Sequence, residues 1–111
     1  MQISKNKQQD VVICNLDGDI DINSSPDIRK VFEDITNAKE KKILINLEKV
    51  PYVDSSGLAT LVEVLKKSKS YAGKLKLSNL SDKVKGLFEI TKLEKLFEIY
   101  DSADQAVADF T

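Results

Sequence analysis

Short apolar runs alternate along the chain with longer stretches in which apolar residues recur every three or four positions. The first run, Val11 to Leu16, is rich in β-branched residues and continues with period two beyond its end. The apolar side of this pattern contains Val12, Cys14, Leu16, Ile20 and Ile22, and the polar side contains Asn15, Asp17, Asp19 and Asp21. The pattern predicts a strand with one solvent-facing side near its end.

A first helix is predicted directly after this strand. Ser25 provides an N-cap, Pro26 fits the first helical position, and Asp27 places an acid in the first turn. Apolar residues then recur at helical spacing, at Ile28, Val31, Phe32 and Ile35. The next run, Lys42 to Leu47, is nearly continuously apolar, which is typical of a central strand covered on both faces.

A second helix is predicted to begin at the serines of the Asp54 to Gly57 segment. Its apolar stripe follows the i, i+3, i+4, i+7 pattern and is widened by two residues. The stripe contains Leu58, Ala59, Leu61, Val62, Val64 and Leu65. The Tyr71 to Gly73 segment ends this helix, and Leu75 and Leu77 then alternate as a strand.

Two more helices are predicted before the chain ends. Ser81 and Asp82 open a third helix, and the Leu96 to Tyr100 segment forms a last strand. Ser102 and Gln105 make a capping box at the start of a fourth helix. The apolar positions of these two helices are Val84, Leu87 and Phe88, followed by Ala103, Ala106, Val107 and Phe110.

Strands that interleave regularly with helices predict an α/β fold. Right-handed βα crossovers give a small, mainly parallel sheet with four βα units, and Met1 to Gln8 is expected to add an antiparallel edge strand. A length of 111 residues suits one domain, and no Pro/Gly/Ser-rich linker divides the chain. We therefore expect a single domain over residues 1–111.

Charge and cysteine content narrow the possible environments and partners. The 17 basic and 18 acidic residues give a net charge of -1, so no overall field attracts nucleic acid or anionic lipid. The one cysteine, Cys14, excludes an intrachain disulfide. The N-terminus has no signal-peptide core, and no apolar run reaches the roughly 20 residues of a membrane helix. These features predict a cytoplasmic protein without membrane insertion or direct nucleic-acid binding.

The absence of histidine excludes most hydrolase mechanisms. Ser-His and Cys-His pairs, His-ligated zinc and His-based proton transfer are all removed. For Ser55, the nearest downstream lysines, Lys66 and Lys67, lie about 16 Å along the predicted helix. We therefore predict a protein that is not an enzyme and needs no cofactor or metal. The basic stretch of Lys66, Lys67, Lys69, Lys74 and Lys76 is interpreted as a solvated face.

The loop after the first βα strand concentrates carboxylates at the end of the sheet where α/β proteins usually bind ligands. This segment, Asp17 to Ser25, resembles half of a calcium loop, but Ile28 stands where a bidentate glutamate is required, so that interpretation is rejected. Asp17 and Asp19 fit a solvated strand end. Asp21 is expected to contact a partner and to contribute little to folding.

The Asp54 to Gly57 segment places two hydroxyl groups at a predicted helix start. A serine there is most often a cap, yet Asp54, Ser55 and Ser56 supply more capping groups than one helix needs. Gly57 also destabilises a helix by about 1 kcal/mol relative to alanine. Close approach of a partner's backbone, or a phosphate held by the first-turn amides, would explain these small residues.

The Val53 to Leu58 segment resembles a motif of the anti-sigma factor antagonists, small bacterial proteins of the STAS domain family. Gly18 to Asp21, Ile43 to Leu47 and Val84 to Ile90 match the family in the same order, so the resemblance covers nearly the whole chain. It implies a βα superhelix around a small sheet, which agrees with the hydrophobic pattern. Ala59 stands where a glycine is common in relatives.

The resemblance implies a partner-switching function. Such proteins, when unphosphorylated, bind an anti-sigma factor that is also a serine kinase and thereby free its sigma factor. The kinase then phosphorylates the first serine of the motif, here Ser55, and a serine phosphatase reverses the release. The partner-binding residues that the resemblance implies are Asp21, Asn23, Ser24, Asp54, Ser56, Gly57 and Leu58.

Electrostatics favours such a switch independently of the family. A phosphate of about -1.5 to -2 charge on Ser55 would lie beside Asp54 and near the Asp17 to Asp21 loop. A partner packed on this surface would have to desolvate that charge. Two alternatives remain: a non-phosphorylated STAS scaffold or subunit of a stress or lipid-transport complex, and a carboxylate-based enzyme using the Asp-rich loop.

Overall fold

A five-stranded sheet with helices on both faces is formed by residues 1–110, the part of the chain that the computed structural model describes. The strands are β1 (Gln2–Gln8), β2 (Val11–Asp17), β3 (Lys42–Lys49), β4 (Lys74–Ser78) and β5 (Glu98–Tyr100). The helices are α1 (Ser25–Asn37), α2 (Ser55–Ser70), α3 (Asp82–Ile90) and α4 (Ala103–Ala108), with a 3-10 turn at Leu93–Lys95. Thr111, the last residue of the expected domain, lies outside the described residues.

The strands lie in the sheet in the order β1-β2-β3-β4-β5. β1 pairs antiparallel with β2, and every later pair is parallel. The predicted α/β fold, with its four βα units and its antiparallel edge strand, is therefore confirmed. The last strand is shorter than predicted, because Leu96 ends the preceding 3-10 turn instead of pairing with β4.

Alternate residues of the central strands enter two separate apolar cores. Cys14 and Ile45 pack into the larger core, which α1, α2 and α3 cover. Ile13 and Leu44 point to the other face, where α4 covers them. β3 is thus buried on both faces, as its apolar run predicts. Burial raises the pKa of the Cys14 thiol to about 12, against a small opposing effect of Lys5, so this thiol is chemically inert at neutral pH.

The segment between β2 and α1 differs from the sequence prediction in two places. The period-two pattern predicts Ile22 on the apolar side of a continuing strand, but β2 ends at Asp17 and Ile22 is 69% exposed. Ser25 is the first residue of α1, and the N-cap position belongs to Ser24, which makes no side-chain cap. The chain turns in this segment through hydrogen bonds that a period-two pattern does not reveal.

Two predicted side-chain environments are also wrong. Ala59 lies outside the stripe with which α2 packs on the sheet, and it is exposed. Lys76 is buried, because position 76 of β4 faces α4. Its Nζ donates to Glu98, to Tyr100 Oη at 2.9 Å and to Asp109 Oδ2 at 3.3 Å. Burial alone lowers the pKa of Lys76, but these hydrogen bonds outweigh it and raise the pKa above its ordinary value.

No helix within residues 1–110 is both long enough and apolar enough to cross a bilayer.

Candidate functional site

The loops after β2 and β3 meet at the carboxyl end of the sheet. Ile20 and Val53 form a parallel β-bridge, in which the Ile20 N–H donates to the Tyr52 carbonyl at 2.9 Å. The Asp54 N–H returns a hydrogen bond to the Ile20 carbonyl at 3.1 Å, and Asp54 Oδ2 accepts from the Ile22 N–H at 3.3 Å. The two loops therefore form one hydrogen-bonded surface.

Asp54 is the N-cap of α2. Its Oδ1 accepts from the Gly57 N–H at 2.9 Å, and its carbonyl accepts from the Leu58 N–H at 2.9 Å. The same carboxylate thus caps the helix through one oxygen and holds the neighbouring loop through the other. Asp54 fixes the position of the helix start relative to the first loop.

Because Asp54 is the N-cap of α2, neither Ser55 nor Ser56 caps the helix. Ser55 is exposed, and within the described part of the chain its hydroxyl makes no hydrogen bond. Ser56 is half-buried, and its carbonyl accepts from Thr60 Oγ1 at 3.0 Å. The helix start therefore presents the hydroxyl of Ser55 to solvent, beside first-turn amides and the positive end of the helix dipole.

Gly57 is required by contacts inside the protein. A Cβ added there would lie 2.7 Å from Ile20 Cγ2 and 2.9 Å from Val53 Cγ1, and closer still to the Ile20 carbonyl oxygen. The sequence suggested a partner's backbone or a bound phosphate as the reason for a small residue. The structure gives a different reason, since the loop after β2 already occupies the space that a side chain would need.

Asp21 organises the loop that leads into α1. Its Oδ1 accepts from the Asn23 N–H at 2.9 Å and from the Ser24 N–H at 3.0 Å. Its carbonyl accepts from Ser25 Oγ at 2.7 Å, while Ser24 Oγ donates to the Asp19 carbonyl at 2.7 Å. The expectation that Asp21 contributes little to folding does not fit these bonds, because its carboxylate closes an Asx turn.

The predicted site residues all lie at this end of the sheet but differ in exposure. Asn23 and Ser55 are exposed, whereas Ser24 and Gly57 are buried. Ser24 and Gly57 therefore shape the surface and offer no side chain to a partner. Asp21, Asp54 and Ser56 are half-buried, and Leu58 is buried with 8% of its surface exposed.

An apolar groove of about 660 Å³ opens between the start of α2 and helix α3. Its lining includes Tyr52, Ser55, Leu58, Lys83, Leu87 and Ile90. Lys83 Nζ lies 5.5 Å from the centre of the Tyr52 ring, which joins the two sides at the rim. In the sequence, the Val53 to Leu58 motif marks the α2 side of this groove. The α3 side is marked only by Ile90, an apolar residue that lies outside the buried stripe of that helix.

A family model for the STAS domain matches residues 2–106. The chain belongs to the STAS domain family. This STAS chain is 33% identical over 103 residues to the anti-sigma-B factor antagonist of Bacillus subtilis (strain 168), covering 93% of both proteins. It is 31% identical over 87 residues to the anti-sigma-B factor antagonist of Staphylococcus aureus (strain COL), covering 78% of this chain and 81% of the relative.

A solved structure with the same fold is that of the phosphorylated form of SpoIIAA, a cell fate determinant from Bacillus. It superposes on this STAS chain with a TM-score of 0.77 at 19% identity, covering 99% of this chain and 100% of SpoIIAA. At that identity the match demonstrates the common fold. The resemblance inferred from the Val53 to Leu58 motif is thereby confirmed at the level of the family and of the fold.

Proposed function

We propose that this STAS domain is an anti-sigma factor antagonist that binds its partner when Ser55 is unmodified and releases it when Ser55 is phosphorylated. The observation that carries the proposal is the exposed hydroxyl of Ser55 at the start of α2, which bonds to no group within residues 1–110. Because Asp54 caps the helix, modification of Ser55 breaks none of the hydrogen bonds among these residues. The names of the curated relatives support the partner class.

A phosphate on Ser55 acts differently on the fold and on the complex. In the free protein, first-turn amides and the helix dipole stabilise an anion by about 0.3–1 kcal/mol, which offsets repulsion from Asp54. In a complex, the partner would have to remove water from a group of about -1.5 to -2 charge. That desolvation is costly without matching cations. The modification therefore weakens binding more than it weakens folding.

The proposed partners are an anti-sigma factor with serine kinase activity and a serine phosphatase that acts on phosphorylated Ser55. The contact surface consists of exposed and half-buried groups and of the accessible 8% of Leu58, supported by the buried Ser24 and Gly57. Its members are Asp21, Asn23, Asp54, Ser56 and Leu58. In this proposal the chain itself catalyses no reaction and acts in the cytoplasm.

The decisive experiment mixes the protein with ATP and the candidate anti-sigma factors of its own organism, followed by mass spectrometry. We expect one phosphate on Ser55. Ser55→Ala should accept none and still bind in the presence of ATP, whereas the control Ser56→Ala should be phosphorylated. Binding without phosphorylation would instead favour the non-phosphorylated scaffold, and undiminished phosphate transfer to Ser55→Ala would place the acceptor elsewhere.

A further inference from the structure

Charge is distributed unevenly between the two ends of the sheet. The carboxyl end, where Ser55 lies, carries the four aspartates of the segment Asp17 to Asp27. The amino end carries five lysines, contributed by the ends of α1 and α2 and by the starts of β3 and β4. These five residues, the basic pole, are Lys39, Lys41, Lys42, Lys69 and Lys74. The net charge of -1 therefore conceals a separation of charge along the strands.

Contacts between the elements hold the basic pole together. Lys42 and Lys74 are direct partners in the parallel register of β3 and β4. The Lys74 N–H donates to the Lys41 carbonyl at 2.7 Å, and Lys41 Nζ donates to the Tyr71 carbonyl. Lys39 Nζ and Lys41 Nζ lie 5.2 and 5.6 Å from the centre of the Tyr71 ring. The ammonium groups thus belong to one surface, although they are dispersed in the sequence.

The acids of the fold leave this surface without neutralising partners. Within residues 1–110, none of the five lysines forms an ion pair. Glu40 lies among them, but its carboxylate pairs with Lys7 at 3.4 Å. Asp109 is close enough to interact electrostatically with Lys74, but its carboxylate already accepts from Lys76. The basic pole is therefore available to an external anion.

Helix dipoles explain only part of the basic pole. A cation near a helix C-terminus is stabilising, which accounts for Lys69 in the last turn of α2 and for Lys39 just beyond α1. Lys42 and Lys74 begin strands instead, and like charges directly opposite each other destabilise strand pairing. An external anion beside this pair would remove the repulsion.

The chemistry of the basic pole favours a charged surface over a nucleic acid as the occupant. Bases stack on free aromatic faces, but two ammonium groups flank the Tyr71 ring, and its hydroxyl donates to the Glu40 carbonyl at 2.7 Å. Arginine is the residue suited to bidentate phosphate recognition, and the one arginine of the chain, Arg29, is bonded to Glu63. Lysines near an anionic bilayer gain from its surface potential without a shaped binding site.

We propose that the basic pole docks the protein on an anionic lipid surface, without insertion into the bilayer. This inference goes beyond the proposed function and does not depend on it. The net negative charge does not prevent docking, because screening acts over about 8 Å at physiological ionic strength. The molecule measures 29 × 27 × 24 Å, so the aspartates at the other end lie beyond that range. In this orientation Ser55 faces away from the lipid and remains accessible to a partner.

Vesicle sedimentation tests the proposal. The unmodified protein should bind vesicles of phosphatidylglycerol and phosphatidylcholine in equal parts, but not vesicles of phosphatidylcholine alone, and rising salt should weaken the binding. Lys69→Glu/Lys74→Glu changes two exposed residues and should weaken binding at least tenfold. The matched control Lys30→Glu/Lys49→Glu makes the same change in net charge at exposed positions outside the basic pole, and it should bind within about threefold of the unmodified protein.

Circular dichroism establishes that each variant is folded, and Lys69→Gln/Lys74→Gln replaces the glutamate variant if that protein is unfolded. Equal losses in the two double variants would assign the effect to net charge and overturn the proposal. Failure of the unmodified protein to bind anionic vesicles, a result that needs no variant, would overturn it as well. Tighter binding to duplex DNA or RNA than to the vesicles would identify nucleic acid as the occupant and also overturn it. None of these outcomes bears on phosphorylation of Ser55.

Discussion

The carbonyl group of Ile20 occupies the space in which a side chain on Gly57 would begin. This contact ties the start of α2 to the loop after β2 at a distance that only a glycine permits. The relationship explains why the helix contains a residue that weakens helices. Correct placement of Ser55 relative to the first loop thus depends on the lack of a side chain two residues further along.

Gly57→Ala is expected to destabilise the protein by about 1–3 kcal/mol, because the added methyl group overpacks a buried contact. The higher helix propensity of alanine works in the opposite direction by about 1 kcal/mol. Urea denaturation measures the free energy of unfolding. Gly86→Ala is the matched control, since open space surrounds that position, and it should be neutral or stabilising. A Gly57→Ala protein as stable as the parent would contradict the close contact.

Asp54→Ala is expected to lower the free energy of unfolding by about 0.5–2 kcal/mol through loss of the N-cap. Asp54→Asn should lose less, because asparagine caps helices about as well as aspartate and keeps an acceptor for the Gly57 N–H, although its NH2 group cannot accept from the Ile22 N–H. Thermal or urea melting of the two variants separates the N-cap hydrogen bond from the other roles of the carboxylate. Equal losses in both would show that the negative charge or the bond to the Ile22 N–H, and not the N-cap hydrogen bond, supports the helix start.

Phosphorylation of Ser55 is expected to leave the fold intact. The hydroxyl makes no hydrogen bond within residues 1–110, and the helix start favours an anion. Amide NMR spectra of the two forms should differ only around residues 17–25, 52–61 and the facing rim residue Lys83. Large shifts throughout α4, on the opposite face of the sheet, would indicate a conformational switch in place of a local electrostatic one.

The hydrogen bonds of Lys76 with Glu98, Tyr100 and Asp109 should make the free energy of unfolding fall at alkaline pH. The folded-state pKa of Lys76 is raised above 10.5, so its contribution is complete below that pH and is lost as the pH rises through the folded value. Stability curves of the parent and Lys76→Met, measured by urea denaturation from pH 8 upward, should therefore converge in strongly alkaline solution. A constant difference would show that lost packing, and not the charge, causes the effect.

Local signals in the sequence predicted the fold, because period and capping act within a few residues. Ser81 and Ser102 cap their helices through hydrogen bonds from the Val84 and Gln105 N–H groups. The predicted capping box at Ser102 is only half formed within residues 1–110, because the Gln105 side chain does not return a bond to the Ser102 N–H. The burial of Lys76 was beyond such signals, since it depends on which side of β4 α4 covers. The alternation along β4 places Lys76 on the opposite face from Leu75 and Leu77. It does not predict that a helix covers that face.

The sequence predicts the part of the candidate site around Ser55, but not the contacts that surround it. The short motif around Ser55 reveals the helix start, because its residues are adjacent in the chain. The reason for Gly57 and the shape of the groove depend on contacts with Ile20 and with α3, which are distant in sequence. The internal role of Asp21 likewise follows from backbone geometry that composition does not report.

The order of strands in the sheet has a consequence for synthesis on the ribosome. Each strand pairs with its predecessor in the chain, and β1 and β2 are joined through Gln9 and Asp10 in left-handed conformations. The sheet can therefore grow from the N-terminus as the polypeptide emerges, without inserting a late strand between earlier ones. The face of the sheet with Ile13 and Leu44 stays uncovered longest, because α4 follows all five strands along the chain. The nascent chain is thus most prone to aggregate after β5 has left the exit tunnel and before α4 has.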